Sequence, residues 1–141
     1  MKILIIALLA LSGITFVYIV EAEDFTSVMK RYGKEKAIAM VAEEFNKKCP
    51  MVVDKYTTIN KALPFSDRLK YQASISGIPY ENLKQSLEKI RKNISSIGTN
   101  TMCSSPDTRT LIESGLIMEY EYYYQDGTFL FSYGVKKSDC L

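Results

Sequence analysis

Two kinds of hydrophobic periodicity divide the chain after its N-terminal segment. Residues 24–48 and 79–97 carry apolar side chains at spacings of three and four, which predicts amphipathic helices. Residues 68–76 alternate apolar and polar side chains, which predicts a strand with one buried face. Residues 117–135 hold two aromatic runs around an Asp-Gly pair, which predicts a β-hairpin.

Shorter signals complete the predicted order of elements. Pro50 ends the first helix, and β-branched residues from Val52 to Ala62 predict a strand. A second short helix is expected over 105–115, because Pro106 suits its first turn and Gly115 its end. The resulting order is α-β-β-α-α-β-β. It predicts an α+β domain with a four-stranded antiparallel sheet and helices packed on one face.

The aromatic hairpin "MEYEYYYQDGTFLFSYGV" raises the question of whether it binds a ligand or forms the core. Alternation assigns most of its rings to one face, which must be covered by the helix over 79–97. The opposite face is mixed, and we take four of its residues as a candidate interaction surface: Glu119, Glu121, Tyr123 and Leu130. Exposed tyrosine beside charge is typical of protein interfaces, although ordinary sheets also carry it through cross-strand pairing.

The N-terminus has the layout of a targeting segment. Lys2 precedes an uncharged, mostly apolar run from Ile3 to Val20, and Ala22 fits a cleavage site. Residues 1–22 are therefore predicted to be a signal peptide, and residues 23–141 a single exported domain. The alternative is an uncleaved membrane anchor, because residues 3–20 are just long enough to cross a bilayer. Both alternatives place the domain outside the cytoplasm. A cleaved signal peptide predicts a periplasmic or secreted protein, and an uncleaved anchor predicts a domain tethered to the membrane.

Export makes disulfide bonds plausible, and the chain contains three cysteines. The odd number leaves one cysteine free or paired with another chain. We favour Cys103 with Cys140, because the chain end would otherwise fray. Pairing of Cys49 with Cys140 or with Cys103 stays open on these grounds.

The C-terminal third, "CSSPDTRTLIESGLIMEYEYYYQDGTFLFSYGVKKSDC", resembles a group of small exported bacterial proteins of unassigned function. The shared features are a Cys followed by Pro-Asp, a short helix ending in Gly, Tyr-x-Tyr, Asp-Gly and a final Asp-Cys. The upstream segment "NKKCPMVVDKYTTI" is similar to the same group. The resemblance implies an exported location and a Cys103–Cys140 bridge. It implies no activity.

Composition narrows the chemistry that the domain could carry. The chain has no His, which removes the usual general base and the commonest metal ligand. Its net charge of +2 is dispersed, whereas nucleic-acid binding needs a clustered basic face. Glu119 and Glu121 share a strand face at a spacing compatible with paired catalytic carboxylates, but alternating charges usually mark the wet face of a strand. We expect no catalytic constellation, no metal and no cofactor.

The leading hypothesis is therefore a non-enzymatic accessory or protein-binding module of the cell envelope, with an unknown protein partner. The first alternative is a thiol-based redox protein or enzyme that uses Cys103, at a helix N-terminus, or Cys49. The second is an envelope component tethered to the membrane through residues 3–20 if they are not cleaved.

Overall fold

A computed structural model of the chain describes residues 25–141, with Asp107 described through its backbone alone. The predicted signal peptide or anchor, residues 1–22, lies outside the described residues. Within residues 25–141, no helix is long and apolar enough to cross a membrane.

Within residues 25–141, four α-helices form where the sequence predicts helix, and a 3₁₀ helix that was not predicted follows the last strand. They are α1 (Phe25–Tyr32), α2 (Lys34–Asn46), α3 (Tyr80–Ser104), α4 (Pro106–Glu113) and the 3₁₀ helix Lys137–Cys140. Gly33 separates α1 from α2 because its φ of 87° is one that glycine adopts without strain. The helix predicted over 79–97 continues to Ser104 because Gly98 stays helical instead of ending it.

In the described part of the chain, residues 25–141, five strands form one mixed sheet. They are β1 (Met51–Val52), β2 (Thr57–Pro64), β3 (Arg68–Ile75), β4 (Ile117–Tyr124) and β5 (Phe129–Val135), in the spatial order β1-β2-β3-β4-β5. The α+β class is thus confirmed. The prediction of four antiparallel strands in the order α-β-β-α-α-β-β is wrong in its number of strands, its order of elements and the direction of one strand pair.

The pairing of β3 with β4 is parallel, and the other three pairs are antiparallel. Parallel neighbours need a crossover of a dozen or more residues. The stretch from α3 to α4 supplies it, since 25 residues of α3 carry the chain back along the sheet. Alternation along a strand reports which face is buried, but not the direction of its neighbour.

The strand predicted from Val52 to Ala62 is interrupted by a turn that separates β1 from β2. The side chain of Asp54 accepts hydrogen bonds from the backbone N–H groups of Tyr56, at 2.8 Å, and Thr57, at 2.9 Å. An aspartate side chain bonded in this way replaces a ladder bond and bends the chain. The fifth strand comes from this interruption.

The core lies between the sheet and the helices. Alternate side chains of β3 and β4 are buried on one face, where Leu69, Tyr71, Met118, Tyr120 and Tyr122 are all below 5% exposed. Helix α2 packs against β2 and β3, and α3 packs against β5. The helix predicted to cover the hairpin, α3, thus packs on its strand β5, and α2 covers the neighbouring strands β2 and β3.

A disulfide bond joins Cys103, near the end of α3, to Cys140 in the 3₁₀ helix, with the two Cα atoms 5.2 Å apart. This is the pairing favoured from the sequence and implied by the resemblance, and Cys49 is left as a free thiol. The bond fastens the segment after β5 to the helical layer.

Candidate functional site

The side of the sheet opposite the helices has no element packed over it in the part of the chain that the structure describes. Side chains of β3 and β4 alternate between buried and partly exposed, and the partly exposed ones point to this side. We call this surface the open face. Its residues are Val52, Thr58, Lys61, Leu63, Arg68, Lys70, Gln72, Ser74, Ile117, Glu119, Glu121, Tyr123, Phe129, Ser132 and Gly134.

A ladder of ion pairs crosses the open face between the two parallel strands. The register places Lys70 opposite Glu119. Arg68 Nη1 lies 2.8 Å from Glu119 Oε2, and Lys70 Nζ lies 3.7 Å from Glu119 Oε1 and 2.8 Å from Glu121 Oε1. Arg68 also pairs with Asp67 at 3.0 Å. Both glutamates of the predicted surface are therefore neutralised by cations of their own chain.

Glu121 is the most heavily bonded carboxylate of the ladder. Gln72 Nε2 donates to its Oε2 at 3.1 Å, and the Tyr123 hydroxyl donates to the same oxygen at 2.9 Å. Burial works to raise its pKa, but the bonds from Lys70, Gln72 and Tyr123 outweigh burial and hold the pKa below its ordinary value. The bond to Glu121 raises the pKa of Lys70 in turn. A general acid needs a raised pKa, so this carboxylate suits a structural role.

Apolar side chains lie at both ends of one cross-strand row of the open face. The row runs through the paired residues Val52, Thr58, Ser74, Tyr123 and Phe129. Val52 is 75% exposed and Phe129 is 54% exposed, and the Tyr123 and Phe129 rings meet edge to face with centroids 5.6 Å apart. This row supplies the aromatic part of the open face.

Three of the four residues predicted as an interaction surface lie together on the open face, and Leu130 does not. A bulge shifts the register so that Tyr122 pairs with Phe131 while Tyr123 pairs with Phe129. The extra residue, Leu130, is 9% exposed and belongs to the core. The facing predicted for Leu130 was wrong, and Phe129, which strict alternation assigned to the buried face, takes the exposed place.

Sequence reasoning gave no role to Ser132 and Gly134, which are both exposed on the outermost strand. They lie in register with Glu121 and Glu119. Because serine has a small side chain and glycine has only a hydrogen, the backbone of β5 stays accessible beside the ion-pair ladder. Small residues in a strand carry no clear signal of their own, so only the sheet order reveals their position.

The thiols do not combine into a reactive site. Cys103 is bonded to Cys140, and burial raises the pKa of the Cys49 thiol. A nucleophilic thiol needs a lowered pKa, because the thiolate is the reactive form. Among residues 25–141, no group of three or more His, Cys, Asp or Glu side chains is placed to hold a metal ion.

The fold and its open face define a small α+β domain with one helical layer and one mixed sheet. No family model matches the chain, and no curated protein matches it in sequence. Solved structures with this fold are nevertheless known.

The chain is similar to a Pseudomonas aeruginosa protein described as a candidate secreted protein, with a TM-score of 0.64 and 16% identity. The match covers 80% of this chain and 97% of that one. It is also similar to the pilotin EpsS of the Vibrio vulnificus type 2 secretion system, with a TM-score of 0.59, 12% identity and coverage of 81% and 97%. The third is the pilotin AspS of the Vibrio cholerae type II secretion system, with a TM-score of 0.55, 15% identity and coverage of 82% and 99%. At these identities the likeness shows the shared fold alone.

Proposed function

We propose that this protein is a non-enzymatic accessory module that acts outside the cytoplasm by binding another protein. The N-terminal segment supports export, and the Cys103–Cys140 bond suits an oxidising compartment. The three solved structures of the same fold support the proposal, since one is described as a candidate secreted protein and two are pilotins of secretion systems.

The observation that carries the proposal is the makeup of the open face. Its glutamates, Glu119 and Glu121, are paired with Arg68 and Lys70, so the face presents no large field of one sign that would favour nucleic acid. Phe129 remains exposed on it beside the ring of Tyr123, and Val52 is exposed at its opposite edge. Exposed aromatic residues beside paired charges are typical of protein interfaces.

Two exposed side chains of nearly equal accessibility allow a matched test of which surface binds. Phe129 is 54% exposed on the open face, and Ile97 is 50% exposed on α3 in the helical layer. The full chain, carrying an affinity tag, is expressed in the bacterium that exports it and crosslinked in intact cells. Partners are then compared for the wild type, Phe129→Glu and Ile97→Glu.

We expect one crosslinked protein to be recovered with the wild type and with Ile97→Glu, and to be lost with Phe129→Glu. Loss with Ile97→Glu alone would place the interface on the helical layer and refute the role of the open face. If no specific protein crosslinks to the wild type, the binding function itself is wrong.

A further inference from the structure

The two edges of the sheet differ in how far their outward-facing backbone groups are blocked. On the β1 side, β1 pairs with only two residues of β2, and α2 then shields the rest. Asn46 Nδ2 donates to the carbonyl oxygen of Ala62 at 2.8 Å, and Asn46 Oδ1 accepts from the N–H of Ala62 at 2.7 Å. One side chain thus occupies both backbone groups that a neighbouring strand would use. Lys61 and Pro64 add further obstacles to pairing there.

Among the described residues, the β5 edge has no such capping side chain, no lysine and no proline, and its bulge at Leu130 lies before Ser132 and Gly134. β5 is the last strand in the sheet order, and no strand pairs with its outer side within residues 25–141. The segment Phe129–Val135 contains no charged residue and no proline. A strand edge of this kind is a template for pairing with another strand, and native proteins usually block it.

The hydrogen-bond pattern identifies which backbone groups of β5 point outward. At the turn, the N–H of Tyr124 donates to the carbonyl oxygen of Thr128 at 2.7 Å. This bond determines which residue pairs of β4 and β5 are hydrogen-bonded. In two antiparallel strands, residue pairs that are hydrogen-bonded to each other alternate with pairs that are not. At a bulge, two residues of one strand lie opposite a single residue of the other. Continued past the bulge, this alternation directs the N–H and C=O groups of Ser132 and Gly134 away from β4. Both residues are exposed.

We propose that an extended segment of the protein partner pairs with the outer edge of β5 as a sixth strand. This inference rests on the proposed binding function and names the mode of recognition. Main-chain hydrogen bonds to Ser132 and Gly134 supply the affinity, as in other cases of strand addition. The added strand continues the open face, because Phe129, Ser132 and Gly134 belong to both surfaces.

The charges around β5 define the chemistry of that segment. Asp126 precedes the strand and Lys136 and Lys137 follow it, all three exposed, and Asp139 comes after them with its carboxylate accepting from the N–H of Lys136 at 2.9 Å. The strand between them is uncharged. The complementary segment has a basic residue near Asp126, an uncharged stretch of about five to seven residues, the usual length of a strand, and an acidic residue near the lysines.

A single substitution separates edge pairing from other modes of binding. Ser132→Pro removes an outward N–H without removing a bond to β4, and proline is tolerated at such edge positions. Ser132→Ala keeps the N–H and is the matched control. Both are made in the tagged full chain, crosslinked in intact cells as above, and compared with the wild type after far-UV circular dichroism shows that each is folded.

We expect recovery of the partner to fall about tenfold or more with Ser132→Pro and to be unchanged with Ser132→Ala. Amide exchange at Ser132 and Gly134 should be fast in the free protein and slow in the purified complex. A partner recovered equally with Ser132→Pro, with both amides still exchanging fast, overturns edge pairing and leaves the binding function standing. Slow exchange of these amides in the free monomer would assign the edge to residues 1–24, and a dimer held by β5 would assign it to a second copy. Either result likewise overturns pairing with a partner. If the wild type recovers no partner, the binding function fails as well.

Discussion

The contact between Gly98 of α3 and Tyr133 of β5 predicts that one added methyl group destabilises the domain. Gly98 of α3 is buried, and the ring of Tyr133 on β5 lies directly against it. A Cβ atom added at Gly98 would lie 2.9 Å from Tyr133 Cζ and 3.1 Å from Cε2, and closer still to the hydroxyl oxygen. Contacts this short force either the helix or the ring to move.

The ring of Tyr133 has little freedom to move aside. It is stacked on Tyr120 with centroids 5.4 Å apart and on Tyr122 with centroids 6.3 Å apart, at interplanar angles of 11° and 17°. Forcing an extra methyl group into packed structure costs about 1–3 kcal/mol. Alanine in a helix interior recovers about 1 kcal/mol relative to glycine. Because the added Cβ would lie so close to a fixed ring, the packing cost should reach the upper end of its range, and we expect Gly98→Ala to lower the free energy of unfolding by about 2 kcal/mol, although propensity alone predicts stabilisation.

Thermal and urea unfolding of the oxidised protein measure this change, and the Tm should fall by roughly 4–8 °C for a domain of this size. Gly134→Ala is the control, because its Cβ would lie 3.7 Å from Ile117 Cγ2, an ordinary contact. Tyr133→Phe removes the nearest atom, so the double variant should be less destabilised than the sum of the two single changes. A Gly98→Ala variant as stable as the wild type would refute the packing of α3 on β5.

Two further predictions concern the disulfide and the ion-pair ladder. Cys140→Ser opens a loop with a sequence separation of 37 and should lower the free energy of unfolding by about 4 kcal/mol and the Tm by roughly 10 °C. A reducing agent should lower the Tm of the wild type but not that of the variant, and equal shifts in both would contradict the bond. Glu121 has a lowered pKa in the folded state, so its ionised form stabilises the fold above the unfolded pKa of about 4.3, and this contribution is lost as the pH falls through the folded value. In urea unfolding between pH 6 and about pH 3, Glu121→Gln should lose less stability than the wild type, and an identical pH dependence would exclude the carboxylate.

Local signals in the sequence were sufficient for most elements of this fold. The spacing in α2 and the alternation in β3 report burial directly, because each residue's face is set by its own backbone geometry. The disulfide partner of Cys140 could be favoured from the need to fix the chain end. These inferences needed no knowledge of distant contacts.

The errors arose where a distant contact decides the structure. The bulge at Leu130 inserts one residue into β5 and reverses the facing of Leu130 and Phe129. No turn residue marks this position. The parallel direction of β4 depends on the length and path of α3, and the end of α3 depends on the fit between Gly98 and Tyr133. Which residues face away from the core was therefore predicted correctly on β4 and wrongly on β5.

The division of the aromatic residues explains why only a few of them remain available for recognition. The ring of Phe45 on α2 meets the ring of Tyr71 edge to face, with centroids 4.9 Å apart. Tyr71 stacks on Tyr120 with centroids 4.7 Å apart, and Tyr120 in turn stacks on Tyr133. Burial raises the pKa of the Tyr71 hydroxyl far above its ordinary value, so that ring stays neutral in the core. These rings join both helices to the sheet, and any partner that displaced them would have to unfold the domain. The aromatic residues that stay accessible to a partner therefore lie on the opposite side of the same strands, where Phe129 is exposed and Tyr123 is partly exposed, beside a strand β5 whose outer edge pairs with no other strand within residues 25–141.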